Sequence, residues 1–589
     1  MRDAIIFLGT ALLLIAGAVQ LARIEVSQGE QLAARAHRQQ TRTVPIPAQR
    51  GSILDTQGRI LASSLRKPSL FMDAAKLSDV RFAAYTLAPI LGEDSAAFAK
   101  ELEKLAQKKN QDGTVDQHIW IRRHLSPAQA DLIREVCGPR GLDAFRIQEE
   151  TIREYPQGTL AAHVLGYLNT EGGKCGIEGR YDSLLSGTPG RSAAIIDESG
   201  NRLARIEDEY VQPQHGKSIV LTIDSHIQAI AEQFLNEAVK KFEAEWATAV
   251  VMDPRTGEVL ALANLPTFDP AQPVPPALQN QVEKALARTR NRALFDMYEP
   301  GSIFKPFVAA RAMQDGRTFL GEVFEIDGPV HYFGRRPIQD SHTHDRLTLE
   351  QIISESSNIG MGLLGERLGN KKLSEYVSEF GFGRPTEIGL PAEEKGILRP
   401  VKKWTNYSTQ SIPIGQEIAV TAIQITTAFC VLANDGVLLR PRIVRGVLSA
   451  SGNTEEDHST PIVLARLLDS DVALQFRRAA LAETVRSGTG KTAALPDYQV
   501  FGKTGTAQVA GRSGYEQKSY MSSFVGGAPL DQPRAVVLVS LYKPKMAKGY
   551  YGSEVAAPVA GKILAETMRY LRVAPDIVPE ALPALPSRQ

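Results

Sequence analysis

Ser302 and Lys305 stand three residues apart in Glu299-Pro300-Gly301-Ser302-Ile303-Phe304-Lys305-Pro306, a hydroxyl and an amine where a run of helical composition, residues 304–313, begins. Pro300 and Gly301 break what precedes them, so Ser302 falls in the first turn. Residues i and i+3 share a helix face, which sets the Lys305 amine beside the Ser302 hydroxyl. A serine attacks only when a neighbouring base takes its proton, and a desolvated or cation-crowded lysine is neutral enough to be that base. Unpaired N–H groups at a helix start favour the negative charge that develops on attack. This is the outline of acyl transfer.

Two further clusters complete it: Ser356-Ser357-Asn358 and Lys503-Thr504-Gly505-Thr506. Ser356 can relay a proton between Lys305, Ser302 and a leaving amine, and the Asn358 amide can both donate to and accept from a peptide-like substrate. Lys503 supplies a cation and Thr504 and Thr506 supply hydroxyls, a set suited to a substrate ending in a free carboxylate. Gly505 gives the substrate backbone room to approach, and Gly502 serves the same need. Each cluster alone is easily matched. Ser64-Leu65-Arg66-Lys67 repeats the first spacing and reads as a surface turn; Ser199-Gly200-Asn201 and Ser451-Gly452-Asn453 repeat the second and read as turns. The ordered triple is the specific signal.

The elements that must position these residues follow from the rest of the chain. At 589 residues it is long enough for two or more domains, and 67 basic against 66 acidic side chains give no electrostatic reason to expect nucleic acid. Cys137, Cys175 and Cys430 are too scattered for a disulfide framework or a metal motif and read as free and buried. Residues 4–22 carry no charge and suffice for a membrane-spanning helix, retained and not cleaved as a signal. Arg23, Arg35, Arg38 and Arg42 follow it, so a simple count of positive charge points the wrong way for an exported domain. Residues 26–43 are helix-compatible, 44–47 read as an extended linker, 50–62 as a β-hairpin, 78–110 as a charged helical stretch and 155–190 as an irregular, glycine-rich module.

From residue 216 the texture changes to strands and helices. Residues 218–223, 246–252, 258–264 and 535–542 are strand-like; Ser225 with Gln228 makes a capping-box start for a helix to about Phe242; residues 556–571 form a closing amphipathic helix. Strands from both ends imply one sheet built from distant parts of the chain.

In these motifs the chain resembles a class B penicillin-binding protein, a membrane-anchored peptidoglycan D,D-transpeptidase. The likeness extends to Arg50–Ala62, Tyr155-Pro156, Ala161–Tyr167, Asn291-Arg292-Ala293, Tyr551-Gly552 and Ala556-Ala557-Pro558. It implies a multidomain α+β protein: a cytoplasmic stub (1–3), a transmembrane anchor (4–22), an elongated pedestal (23–215), a penicillin-binding domain with an antiparallel sheet between helices (216–572), and a Pro-rich disordered tail (573–589). It also implies roles. Ser302 is the acylated nucleophile, Lys305 its base, Ser356 and Asn358 the second motif, Lys503 to Thr506 the carboxylate-binding strand, and the N–H groups of Ser302 and Thr506 the oxyanion hole, with no metal and no cofactor. The implied partners are stem peptides of nascent lipid-linked glycan, β-lactams, a SEDS-family glycosyltransferase and division-complex membrane proteins, at the bacterial inner membrane with the catalytic domain outside the cytoplasm.

The sequence between Gln31 and Arg42 and the lack of large inserts resemble the division-specific branch more than the elongation-specific one. Thr56-Gln57 stand where the family usually has Arg-Asn, and Glu417 where it commonly has glycine. A β-lactam sensor or a scaffold of the wall-synthesis complex are the rival readings, against which stand the single span and the intact triple. The long pedestal and the anchor argue against a β-lactamase. Gly488-Thr489-Gly490-Lys491-Thr492 mimics a phosphate loop but lacks its first glycine, Val485 standing there. His331, His342 and His344 read as loop residues, and Asp253 and Glu258 as solvated turn residues.

Overall fold

A computed structural model describes residues 2–108, 115–116, 118–137, 142–196, 202–511 and 514–577. The protein is multidomain α+β, and its contacts divide it into two units. The first is Met1–Gly51 with Ser183–Lys217. Its helix Arg2–Gln40 contains the stretch Ile5–Gln28, long and apolar enough to cross a bilayer. Three antiparallel strands follow in the order Thr41–Ile46, Gly190–Ile196, Arg202–Val211. Most of the extended linker expected at 44–47 is therefore strand. Pro45 stands in an edge strand, the place in a sheet where proline is ordinarily found.

The second unit, Ser52–Asp182 with Ser218–Gln589, holds the sheet that carries the third motif. Its strands are β1 (Trp246–Met252), β2 (Val259–Leu265), β3 (Phe501–Gly511), β4 (Gly514–Ala528) and β5 (Ala535–Tyr542), ordered β2-β1-β5-β4-β3 and antiparallel throughout. Its principal helices are α1 (Ser225–Phe242), α2 (Lys305–Gln314), α3 (Asn358–Glu379), α4 (Ala422–Ala433) and α5 (Ala557–Tyr570). Helices α1 and α5 cover one face, where Ile227, Leu235, Ile563 and Leu564 meet Val251, Val537 and Val539. Helix α4, buried along its whole length, covers the other. Because β1 and β2 are buried on both faces, they show as continuous apolar runs with no alternation.

The domain boundary expected at residue 216 is crossed by a second sheet. Ser218–Leu221 does not join β1–β5; it pairs in parallel with Ile53–Leu54 and antiparallel with Val444–Leu448. The expected hairpin forms from Ile53–Leu54 and Ile60–Met72. Its turn is fastened by Asp55, fully buried, whose carboxylate accepts from the N–H groups of Gln57 and Arg59, from Arg59 Nε at 2.7 Å and from Ser225 Oγ at 2.8 Å. Those bonds outweigh burial and hold its pKa below the ordinary value.

Several local expectations are corrected. Asp224, not Ser225, caps α1, and Gln228 bonds the Leu262 backbone instead of closing a capping box; a carboxylate is the stronger acceptor for a helix start. Ser64 is buried in the middle of Ile60–Met72, opposite Arg153, and not in a surface turn. The stretch expected at 78–110 is two helices, Val80–Leu91 and Ser95–Ala106, with Gly92 ending the first in the left-handed conformation. Asp253 is buried and accepts three bonds from Arg255, which close the β1–β2 turn. Residues 573–577, expected in the tail, are tied down: Tyr498 Oη donates to Val573 O at 2.7 Å and Asp576 accepts from the Gln499 and Leu530 N–H groups. The rest of the tail, 578–589, and Ser199-Gly200-Asn201 lie outside the described residues. Cys137 and Cys430 are buried free thiols, as expected, whereas Cys175 is half-buried.

Candidate active site

The turn bearing Ser302 is a single 3₁₀ turn, Gly301–Phe304, running into α2. Gly301 has φ +58° and its N–H donates to Gly415 O at 3.1 Å, a geometry open to glycine at little strain. Phe304 and Phe307 anchor the turn in an aromatic cluster, with centroids 5.0 Å from Phe304 to Phe382 and 5.3 Å from Phe307 to Phe380. Each such pair adds about 0.5–1.5 kcal/mol beyond area burial. Ser302 is half-buried and Lys305 fully buried.

The second motif arrives between helix Leu349–Ser354 and α3. Ser356 has φ +63°, a left-handed conformation uncommon outside glycine. Both its carbonyl and its hydroxyl meet Lys305. Nζ donates to Ser356 O at 2.5 Å and to Asn358 Oδ1 at 2.8 Å, and lies 3.2 Å from Ser356 Oγ. The two carbonyl oxygens can only accept, whereas the hydroxyl can donate. A neutral amine with two N–H bonds to those carbonyls therefore keeps its lone pair for a hydroxyl. Ser302 Oγ is not among the bonded partners of Lys305 Nζ; contacts of this kind often tighten only with substrate in place.

Lys503, Thr504, Gly505 and Thr506 lie on β3, one of the two edge strands of the sheet, packed against the Ser302 turn. Thr504 and Thr506 share one face of the strand, Lys503 and Gly505 the other. Thr506 Oγ1 accepts from the Gly552 N–H at 2.9 Å, which leaves its own hydrogen free to donate. The room expected for substrate at Gly505 is occupied: a side chain there would sit 2.9 Å from Ile303 Cγ2 and 3.2 Å from Pro300 O. The glycine admits the Ser302 turn. At Gly502 the space is filled by Phe524.

Burial dominates the electrostatics. Lys305 is pushed down to about 7, chiefly by desolvation, with Asp340 opposing. Lys503 is driven well below the ordinary lysine range by its burial and then by Lys305, with Glu355 opposing. The free site therefore disfavours the cation expected at Lys503, and an incoming carboxylate would restore it. Among the described residues no group of three or more His, Cys, Asp or Glu could hold a metal ion.

Three contributors escaped the sequence reading. Asp340 accepts from Ser357 Oγ and the Asn358 N–H, both at 2.5 Å, and from the Ile359 N–H at 3.1 Å, so it fixes the start of α3 and with it Asn358. Thr489, inside the phosphate-loop mimic, shares a 2.7 Å hydrogen bond with Thr504 Oγ1. Glu299, three residues before Ser302, accepts from the Glu417 N–H at 2.9 Å and from Tyr515 Oη at 2.8 Å. Glu417 adopts φ +62°, which accounts for the glycine expected there, and its carboxylate is taken by Ser408 Oγ at 2.8 Å.

Comparison with known proteins agrees with this chemistry. Residues 247–565 match the family model described as the penicillin binding protein transpeptidase domain, and residues 45–221 the penicillin-binding protein dimerisation domain. The chain is similar to the probable peptidoglycan D,D-transpeptidase PenA of Neisseria gonorrhoeae, 32% identical over 536 residues, covering 91% of this chain and 86% of that one. Peptidoglycan D,D-transpeptidase FtsI of Escherichia coli is 28% identical across 95% of this chain and 90% of its own. Penicillin binding protein 3 of Mycobacterium tuberculosis, solved in complex with aztreonam, aligns with a TM-score of 0.67 at 26% identity, covering 91% of this chain and 98% of that one.

Proposed function

Because the chain belongs to the class B penicillin-binding proteins and is a penicillin-sensitive peptidoglycan D,D-transpeptidase, we propose that its acyl-enzyme forms on Ser302 with Lys305 as the base. The observation that carries this is the fully buried Lys305 amine, depressed to about 7 and held by two carbonyl oxygens beside Ser356 Oγ. Ser302 Oγ bonds to the carbonyl carbon of the penultimate D-alanine, and its proton passes to Lys305. The oxyanion rests on the N–H groups of Ser302 and Thr506. As the peptide C–N bond breaks, Ser356 passes a proton from Lys305 to the departing D-alanine amine. Asn358 aligns the peptide; Lys503 and the Thr504 and Thr506 hydroxyls receive its terminal carboxylate. An amine of a second stem peptide then attacks the ester, which forms the cross-link and frees Ser302. A cross-linking assay on nascent glycan should lose its product in Ser302→Ala; product formed at the parent rate would sink the assignment.

We further propose that this cross-linking serves the division septum, outside the cytoplasm, beside a SEDS-family glycosyltransferase and division-complex membrane proteins. Support comes from the sequence between Gln31 and Arg42, the lack of large inserts and, among the described residues, the single apolar span Ile5–Gln28. A fluorescent fusion at native level should collect at midcell, and depletion should give filaments. Rounded cells with a dispersed fusion would favour elongation instead.

A further inference from the structure

A cavity of about 290 Å³ in the second unit lies between the end of α3, one side of α4 and the strand pair Val437–Leu439 and Val463–Arg466. None of the acyl-transfer residues lines it. Phe380, Leu438 and Leu464 give it apolar walls, and Arg384, Thr427 and Arg440 bring polar groups to it.

Two of those groups lack a protein partner among the described residues. Thr427 is 6% exposed and its Oγ1 makes no hydrogen bond. A helical threonine ordinarily bonds back to the carbonyl four residues earlier, as adjacent Thr426 does to Ala422 O at 2.9 Å. Arg440 Nε is also buried and unbonded, although Nη2 of the same guanidinium meets Glu387 Oε2 at 2.9 Å. Buried donors without acceptors are rare and costly. Charge points the same way. Glu387 is engaged by Arg440 and Glu379 by Arg311, whereas the Arg384 guanidinium bonds only the Ser378 backbone carbonyl among the contacts described. The cavity thus offers spare donors and spare positive charge against an apolar wall.

We propose that this cavity binds a small carboxylate, the size of an amino acid or dipeptide, through Thr427 Oγ1 and Arg440 Nε. A carboxylate supplies acceptors to both donors, and a guanidinium makes its bonds to such a group charge-assisted. The volume is at the small end of ligand sites, which limits the occupant to that size. The D-alanine released in transpeptidation belongs to this class and is the natural probe.

The test uses the full chain in detergent, first acylated with benzylpenicillin so that the Ser302 site is filled. D-Alanine, N-acetyl-D-alanine and D-alanine amide are titrated and binding is read by saturation-transfer NMR. D-Alanine should bind saturably and the amide should not; binding of N-acetyl-D-alanine as well would show that the carboxylate suffices, and its failure would narrow the class to free amino acids. Thr427→Val and Arg440→Gln should each weaken binding roughly tenfold. Absence of saturable binding, meaning a cavity that holds water only, overturns the proposal, as does equal binding of the amide or affinity unchanged in both variants. Thr427→Val replaces an unbonded hydroxyl with a methyl, so its melting temperature should not fall; a drop of several degrees would expose a hidden partner and overturn the premise.

Discussion

Acylation by a β-lactam, followed against pH, should rise through a single step near pH 7 set by Lys305. The perturbation from an ordinary lysine at 10.5 to about 7 amounts to about 5 kcal/mol of disfavour for the ammonium form. At pH 7 about half of Lys305 is then neutral, against roughly one molecule in 3,000 for an unperturbed lysine. The second-order rate of acylation, measured by stopped flow with a penicillin that does not titrate in the range, should fall about tenfold per pH unit below the step. Asp340→Asn keeps an oxygen for the Asn358 and Ile359 N–H groups but removes a negative charge that favours the ammonium, so its step should move to lower pH. A rate flat between pH 5 and 9, or a midpoint near 10, would refute the reasoning.

Gly505→Ala places a methyl against Ile303 and Pro300 and should slow acylation at least roughly tenfold by displacing the Ser302 turn, with thermal stability monitored in parallel; an unchanged rate would show that the contact yields. Asp55→Ala takes the acceptor from Ser225 Oγ and from the Gln57 and Arg59 N–H groups, while the Arg59 guanidinium keeps Asp224 and Tyr570, and should lower stability by about 1–3 kcal/mol, read as an earlier denaturation midpoint. His163 is buried, donates from Nε2 to Arg288 O at 2.8 Å and is pushed down to about 4 by desolvation. Its folded pKa lies below the unfolded 6.5, so its contribution is complete above pH 6.5 and is lost as pH falls toward 4, by up to about 3 kcal/mol. His163→Gln should flatten that slope when unfolding is followed across the window.

How much of this was legible depended on distance along the chain. Ser302 and Lys305 lie within one turn, and the strand of Lys503 is a local run, so spacing and composition expose them. Asp340 meets Asn358 from 18 residues away, and a lone aspartate before Ser341-His342-Thr343-His344 carries no periodic signal. Thr489 stood in a run already noticed for glycine and lysine, but its partner Thr504 lies 15 residues on. The glycine at 505 was visible, yet only packing reveals that the Ser302 turn claims the space. Ser218–Leu221 has strand composition, but composition does not say which strand it pairs with, and Ile53–Leu54 brought it into a different sheet from β1–β5. The αL conformation of Ser356 could not be foreseen, since serine does not favour that region; at Glu417 the signal was the glycine that the family commonly has there.

The most direct test of the account is the mass of the β-lactam adduct and its position after digestion. The full chain treated with benzylpenicillin should carry one penicilloyl group, on the peptide that contains Ser302, and Ser302→Ala should carry none. An adduct on the peptides of Ser64 or Ser356, or label retained in Ser302→Ala, would contradict the assignment of the nucleophile and with it the role given to Lys305.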